Sequence, residues 1–189
     1  AENWSMEELS SVSIDDEKAG ETIVDYLIDH GHTKIAEIGA NLELSQTAIL
    51  RHNGYLNSFK KHGITPDERY YEKARFSYDS AYHAMKKLLE KDIEITAVYA
   101  ISDVMAIGAI RAILDKGLRV PEDISITGFD GSTLAEYYNP KIVSIRQPHK
   151  DMAAHSVELL FSMIDLHKGS CHEIIPFELT EGESVARIN

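Results

Sequence analysis

Apolar positions along the chain follow two alternating rhythms. Short runs, among them "KIAEIGA" (34–40), "TAVYA" (96–100) and "ISITGF" (124–129), read as buried strands, while the stretches between them carry apolar residues three and four apart, the spacing of a helix with one covered face. "SVSID" (11–15) is predicted as a first strand, and Asp16 as the cap of a helix that gathers Ala19, Ile23, Val24 and Leu27 on one side before Gly31 ends it. Ser45 opens a second helix stopped by Gly63, a weak strand follows at 70–72, and 78–91 is helical. Ser102 caps a helix through Met105, Ala109, Ala112 and Ile113 to the stop at Gly117. A short helix over 132–138 and a strand over 142–146 come next, then a helix from Pro148 to Lys168 and late strands near 172–178 and 183–187.

Strands alternating with helices of this length predict an α/β fold, a parallel sheet with helices on both faces. In such sheets ligands bind beyond the carboxyl ends of the strands, so polar residues just after a strand are the candidates for chemistry. They are Thr47 and Arg51 after the 34–40 strand, Ser102 and Asp103 after 96–100, Asp130 after 124–129 and Gln147 after 142–146. Each also has a plain structural reading. Asp130 is either a ligand acceptor or the cap of the 132–138 helix, and the pattern leaves both open. Thr47 and Arg51 are four apart and share one helix face, where Arg51 is a solvated charge or a planar fork of donors for vicinal hydroxyls. Ser102 and Asp103 suit a helix N-terminus with no further purpose. Phe76, in a loop, either stacks on a ligand's apolar face or covers a small hydrophobic patch.

Composition narrows the function classes. Thirty-one acidic against nineteen basic residues give a formal charge of −12, which opposes direct neutralisation of DNA phosphates. No apolar run is long enough to cross a bilayer and the first residues lack a signal-peptide pattern, so a soluble, cytoplasmic protein is expected. The single Cys171 points to a reducing compartment, and the nine scattered histidines suggest no metal site. No cofactor-binding or nucleophile-elbow motif is present. "GFDGSTL" (128–134) superficially resembles the aspartate loop of haloacid-dehalogenase-type phosphatases, but Gly128 stands where their nucleophilic aspartate is needed, and no catalytic residue is assigned.

Several stretches together resemble the effector-binding domain of the LacI/GalR family of transcription regulators: "DYLIDHGHTKIAEIGA", "RHNGYLNSFKKHGI", "AISDVMAIGAIRAILDKGLRVPEDISITGFDGS" and "YYNPKIVSIRQPHKDMAAHSVELL". The likeness runs from about residue 11 to the end. It implies a periplasmic-binding-protein-like fold of class I, two α/β subdomains with a small effector, a sugar or sugar derivative, in the cleft between them. Carried over by position, Arg51 matches the arginine that grips ligand hydroxyls, Thr47 the ligand-facing position one turn before it, Phe76 a stacking aromatic, Asp103 the acid after the strand, Asp130 the cleft aspartate and Gln147 a polar residue at the crossover. Ser102 stands in place of the family's usual asparagine, which leaves room for a larger ligand or a water.

The resemblance also implies a homodimer that meets operator DNA only through an N-terminal head, a part with no counterpart in these 189 residues. Residues 1–14 are then a remnant of the first subdomain, 15–146 the second, effector-binding subdomain, essentially complete, and 147–189 a crossover helix and final strands. The helix after Pro148 carries an apolar stripe of Met152, Ala153, Val157, Leu160 and Ile164. It is expected to pack on a partner chain or on residues 1–12, or to be disordered. A sugar-binding protein of a transport system is the competing reading.

Overall fold

The structure, a computed structural model, describes residues 9–166 and 170–188, without the side chains of 165 and 166. Its centre is a parallel sheet in the order β3-β2-β4-β5, built from Tyr71–Lys73, Ile35–Gly39, Ala97–Ala100 and Ser125–Thr127. The residues of β2, β4 and β5 are buried throughout, as strands covered on both faces must be. Helix α1 (Asp16–Asp29) packs along α2 (Gln46–Lys61), and α3 (Tyr78–Glu90) along α4 (Asp103–Asp115). The strand order reverses between β2 and β4, so right-handed crossovers put α2 on one face and α3 and α4 on the other. A doubly wound sheet opens its ligand crevice at that reversal, beyond the strand ends.

The crossing of α1 and α2 is close because Gly54 lies at it. A Cβ on Gly54 would fall 2.3 Å from the carbonyl oxygen of Glu17, so any side chain there would force the helices apart. Arg51, one turn earlier on α2, depends on that approach for its position.

A short helix α5 (Thr133–Tyr137) leads to β6 (Ser144–Arg146), which runs beside β5 through bridges Thr127 to Val143 and Asp130 to Arg146. Helix α6 (His149–Leu166) follows, and the carbonyl of Pro148 accepts from the amide of Met152 at 2.9 Å. A second, smaller layer forms where β1 (Ser11–Ser13) pairs in parallel with β7 (His172–Ile174) and α6 lies against β1. Strand β8 (Glu178–Thr180) then returns to pair antiparallel with β6.

Several expectations shift in detail. The cap of α1 is Asp15, whose carboxylate accepts from the amide of Lys18, and Asp16 is buried one step inside the helix. The late strand expected over 172–178 breaks into β7 and β8, with Pro176, which has no amide hydrogen to give a ladder, between them. Residues 183–187 form no strand. They are pinned instead by Ser184, which bonds both Ile126 and Val143, and by His32, whose ring bridges Thr96 and the carbonyl of Ala186. Helix α6 is described to Leu166, and the expected end at Lys168 lies outside the described residues.

Among the described residues the stripe on α6 does not pack as a unit on the chain's start; residues 1–8 of the expected 1–12 lie outside the described residues. Met152 is buried with Val12 and Ile175, and Leu159 is also covered, whereas Val157, Leu160 and Ile164 are exposed together with Phe161. Half of an amphipathic face is thus left without cover among the described residues.

Candidate functional site

Five strand-to-helix junctions converge at the reversal point, and most of the residues picked out from the sequence meet there. Arg51 stands at the centre with a side chain only 5% exposed. Its Nε donates to Asp16 Oδ1 at 2.8 Å and its Nη1 to the carbonyl of Ile101, the residue that follows β4, at 2.6 Å. Its guanidinium also lies 3.6 Å above the centre of the Phe129 ring. These contacts remove most of the rotational freedom of a long side chain, so the cation is held before any ligand arrives.

Asp130 stands 3.8 Å from Arg51 Nη1 with its side chain 32% exposed. It has φ of 116°, a region that non-glycine residues rarely occupy and that stores local strain. What holds it is a set of bonds to β6 and its continuation: its amide donates to Ile145, its carbonyl accepts from the amide of Gln147, and its Oδ1 accepts from Gln147 Nε2 at 2.8 Å. The cap of α5 is Ser132, not Asp130. Burial pushes the carboxyl of Asp130 up to about 6; Arg51 opposes that rise, and the nearby Asp103 adds to it.

Asp103 and Ser102 sit deeper. The oxygens of Asp103 accept from the amide of Ser132 and the hydroxyl of Ser144, both at 2.6 Å, while its own amide donates to Phe129. One carboxylate thereby ties the mouth of β4 to the Asp130 loop and to β6. Its pKa is raised by burial against the pull of those donors. Ser102 caps α4 by accepting from the amide of Met105. Both are almost wholly enclosed, as is Thr47 in the first turn of α2. Phe76 stands apart, 48% exposed on the loop between the edge strand β3 and α3.

Gly128 acquires a physical reason here. A Cβ at that position would lie 2.3 Å from Asp103 Oδ1, so the aspartate that a phosphatase would require cannot be accommodated beside the Asp103 bracket. Among the described residues no group of histidine, cysteine and acidic side chains could hold a metal ion.

The cluster contains two residues that the pattern of the sequence hid. The pattern reads Asp16 as a helix cap and Phe129 as the last residue of the 124–129 strand. Two adjacent aspartates, Asp15 and Asp16, were the available signal, since one helix N-terminus uses only one of them as its cap. Taken together, the site offers a fixed cation, a half-exposed acceptor and an amide. That set suits a polar molecule with several hydroxyl groups better than an anion, because Arg51 is already matched by Asp16.

Comparison with known proteins places the chain among relatives of one kind. Residues 24–185 match the periplasmic binding protein-like domain family. The chain is 41% identical over 179 residues to the HTH-type transcriptional regulator MalR of Clostridium butyricum, covering 95% of this chain and 53% of that protein. It is 36% identical over 156 residues to catabolite control protein A of Priestia megaterium, covering 82% of this chain and 47% of the relative. The chain therefore spans about half the length of the curated relatives it matches. Among solved structures it is similar to the transcriptional regulator CelR in complex with cellobiose, with a TM-score of 0.90 and 32% identity over 94% of this chain and 54% of that one.

Proposed function

The chain belongs to the LacI/GalR family of transcription regulators and carries its periplasmic-binding-protein-like domain, and on that premise we propose that it is the effector-sensing part of a regulator whose operator affinity is set by a small polyhydroxylated molecule, a sugar or sugar derivative. The observation that carries this is the Arg51–Asp130–Gln147 cluster at the strand-order reversal, a preorganised set of donors and acceptors at the place where doubly wound sheets bind ligands. Asp130 accepts from ligand hydroxyls and Arg51 donates to ligand oxygens. Gln147, Asp103 and Ser102 keep those two in place, Thr47 lies beside Arg51 on α2, and Phe76 covers the ligand's edge. The relatives are regulators and not enzymes, which agrees with a binding role.

The arrangement favours a neutral effector over an anionic one. Arg51 is the cation of the cluster, Asp16 and Asp130 lie against it, and Asp103 adds a third carboxyl group near Asp130. Calorimetric titration of the full-length protein with cellobiose, maltose, ribose and their phosphate esters tests this directly. A neutral sugar is expected to bind at least about tenfold more tightly than its phosphate, a difference of roughly 1.4 kcal/mol. Equal or tighter binding of the phosphate would reject the assignment.

The unit that senses is residues 15–146 with the returning tail at 178–188. Residues 9–14 and the α6–β7 segment belong with a second subdomain, which seats on the exposed Val157, Leu160, Phe161 and Ile164. The same protein works as a cytoplasmic homodimer. Its dimer face is the groove between α3 and α4, lined by Tyr78, Tyr82, Ile107, Arg111 and Tyr138 and bordered by the exposed Leu134 and Tyr137. Tyr137→Asp in the full-length protein is expected to halve the mass measured by sedimentation. An unchanged dimer would place the interface elsewhere.

A further inference from the structure

A row of polar side chains crosses the buried sheet on the side covered by α1 and α2. Glu37 of β2 is in register with Tyr71 of β3 and with Tyr99 of β4, and Tyr99 is in register with Thr127 of β5. Residues paired in this way project from the same face of the sheet. Glu37, Tyr99 and Thr127 are completely buried, and Glu37 Oε1, the Tyr99 hydroxyl and Thr127 Oγ1 have no hydrogen-bond partner among the described residues. The second oxygen of Glu37 lies 2.7 Å from His52 Nδ1. His52 is the neighbour of Arg51 on α2, and its ring packs against Tyr55 and the edge of Tyr71.

An ionised carboxylate in the middle of a sheet is among the costliest groups to bury, unless a counter-charge or a proton removes its charge. His52 supplies either. One proton held between the two groups gives a carboxylate facing an imidazolium or a carboxylic acid facing an imidazole, and both arrangements leave the pair without net charge. The other titratable groups facing Glu37 are Tyr55 from α2, Tyr71 from β3 and Tyr99 from β4. Burial raises all three phenols well above their ordinary range, so they stay neutral. The Tyr99 phenol also feels Arg51, Asp16 and Asp130, which makes the row continuous with the floor of the cleft.

We propose that Glu37 and His52 are positioning residues that share one proton, that this proton seats α2 on β2, and that Arg51 keeps its place at the cleft floor only while the pair holds it. The inference rests on the effector-cleft reading for its functional sense alone. Burial lifts the Glu37 carboxyl above its ordinary range, and the bond to Glu37 lifts the His52 imidazole above its ordinary value of 6.5, so the pair holds its last proton beyond that value. A value raised in the folded state contributes stability that is complete at low pH and is lost as pH rises through it. The Asp130 carboxyl, pushed up to about 6, loses its own contribution as pH rises to that value.

The test uses the full-length protein with 13C-labelled histidine and 15N-labelled arginine, the His52 signal being assigned by its absence from His52→Asn. In the wild type, His52 is expected to titrate above 6.5, and the Arg51 Nε–H resonance, held by its bond to Asp16, is expected to shift or broaden in the same step. In Glu37→Gln, His52 is expected to return to about its ordinary value and the Arg51 signal to stop following pH there. A wild-type His52 that titrates at or below 6.5, or an Arg51 signal indifferent to the step, would overturn the proposal. Should Glu37→Gln fail to fold, urea unfolding of the wild type decides. Its unfolding constant is expected to rise about tenfold for each unit by which the pair's upper value exceeds that of an unfolded histidine, and a profile that stays flat as pH rises above 6.5 would overturn the idea. No effector enters these measurements, so their outcome is independent of whether a sugar binds.

Discussion

Arg51→Ala is expected to destabilise the protein by about 3–5 kcal/mol and to abolish effector binding. The first effect follows from what the guanidinium leaves behind. Asp16, with a side chain only 6% exposed, loses the donor to its Oδ1 and becomes an uncompensated buried carboxylate, and the carbonyl of Ile101 loses its partner at the mouth of β4. For a protein of this size the fall in unfolding temperature is roughly 2–4 °C per kcal/mol, so the variant melts on the order of 10 °C below the wild type. The second effect is separable from the first. Combining Asp16→Asn with Arg51→Met removes both charges and keeps the volume, so most of the stability is expected to return and none of the binding. Urea unfolding and calorimetry on the same two samples measure both quantities, and a double variant that still bound the effector would remove Arg51 from the site.

Asp130→Asn is expected to move stability and affinity in opposite directions. The neutral amide keeps its bond to Gln147 and tolerates the positive φ, yet carries no charge to bury. Because the carboxyl is pushed up to about 6, the ionised form is the disfavoured one in the folded protein. At pH 7.5 the variant should therefore be about 1–2 kcal/mol more stable than the wild type, a shift discounted for the partial exposure of the side chain. The gain should shrink as pH falls through about 6 and vanish below 3.8, where the wild-type aspartate is protonated in both states. Affinity for a hydroxylated effector should drop by roughly 1.5–3 kcal/mol, ten- to a hundredfold, the worth of a hydrogen bond to a charged group. Wild-type affinity should weaken as pH falls through about 6, and affinity in the variant should stay flat across the same range. A variant that loses both stability and affinity would mark Asp130 as structural.

The framework of this site was legible in the sequence because its signals are local. Runs such as "KIAEIGA" and "TAVYA" are apolar enough to be strands covered on both faces, and the residues just after them were therefore candidates before any geometry was known. Arg51, Asp130 and Gln147 come together as that logic requires. What stayed hidden was decided by contacts between distant elements. Asp16 and Asp15 are equivalent as caps until α2 brings Arg51 to one of them, 35 residues away. Glu37 is visible in its strand, but its partner His52 sits on a helix whose periodicity gives no reason to turn toward β2. Gly128 reads in the sequence only as a missing nucleophile, whereas its cause is the Asp103 carboxylate packed against it. On α6 the apolar stripe was legible, but periodicity alone did not show that Met152 and Leu159 would be buried and Val157, Leu160 and Ile164 left exposed among the described residues.

Whether the Arg51–Asp130 cluster is the floor of an effector cleft is decided by a crystal structure of the full-length protein soaked with a neutral sugar that binds in the calorimetric panel. Sugar hydroxyls are expected within about 3.2 Å of an Asp130 carboxylate oxygen and of an Arg51 nitrogen, the range of hydrogen bonds. A sugar bound elsewhere, with the Asp130 carboxylate still bonded only to Gln147 and water, would contradict it.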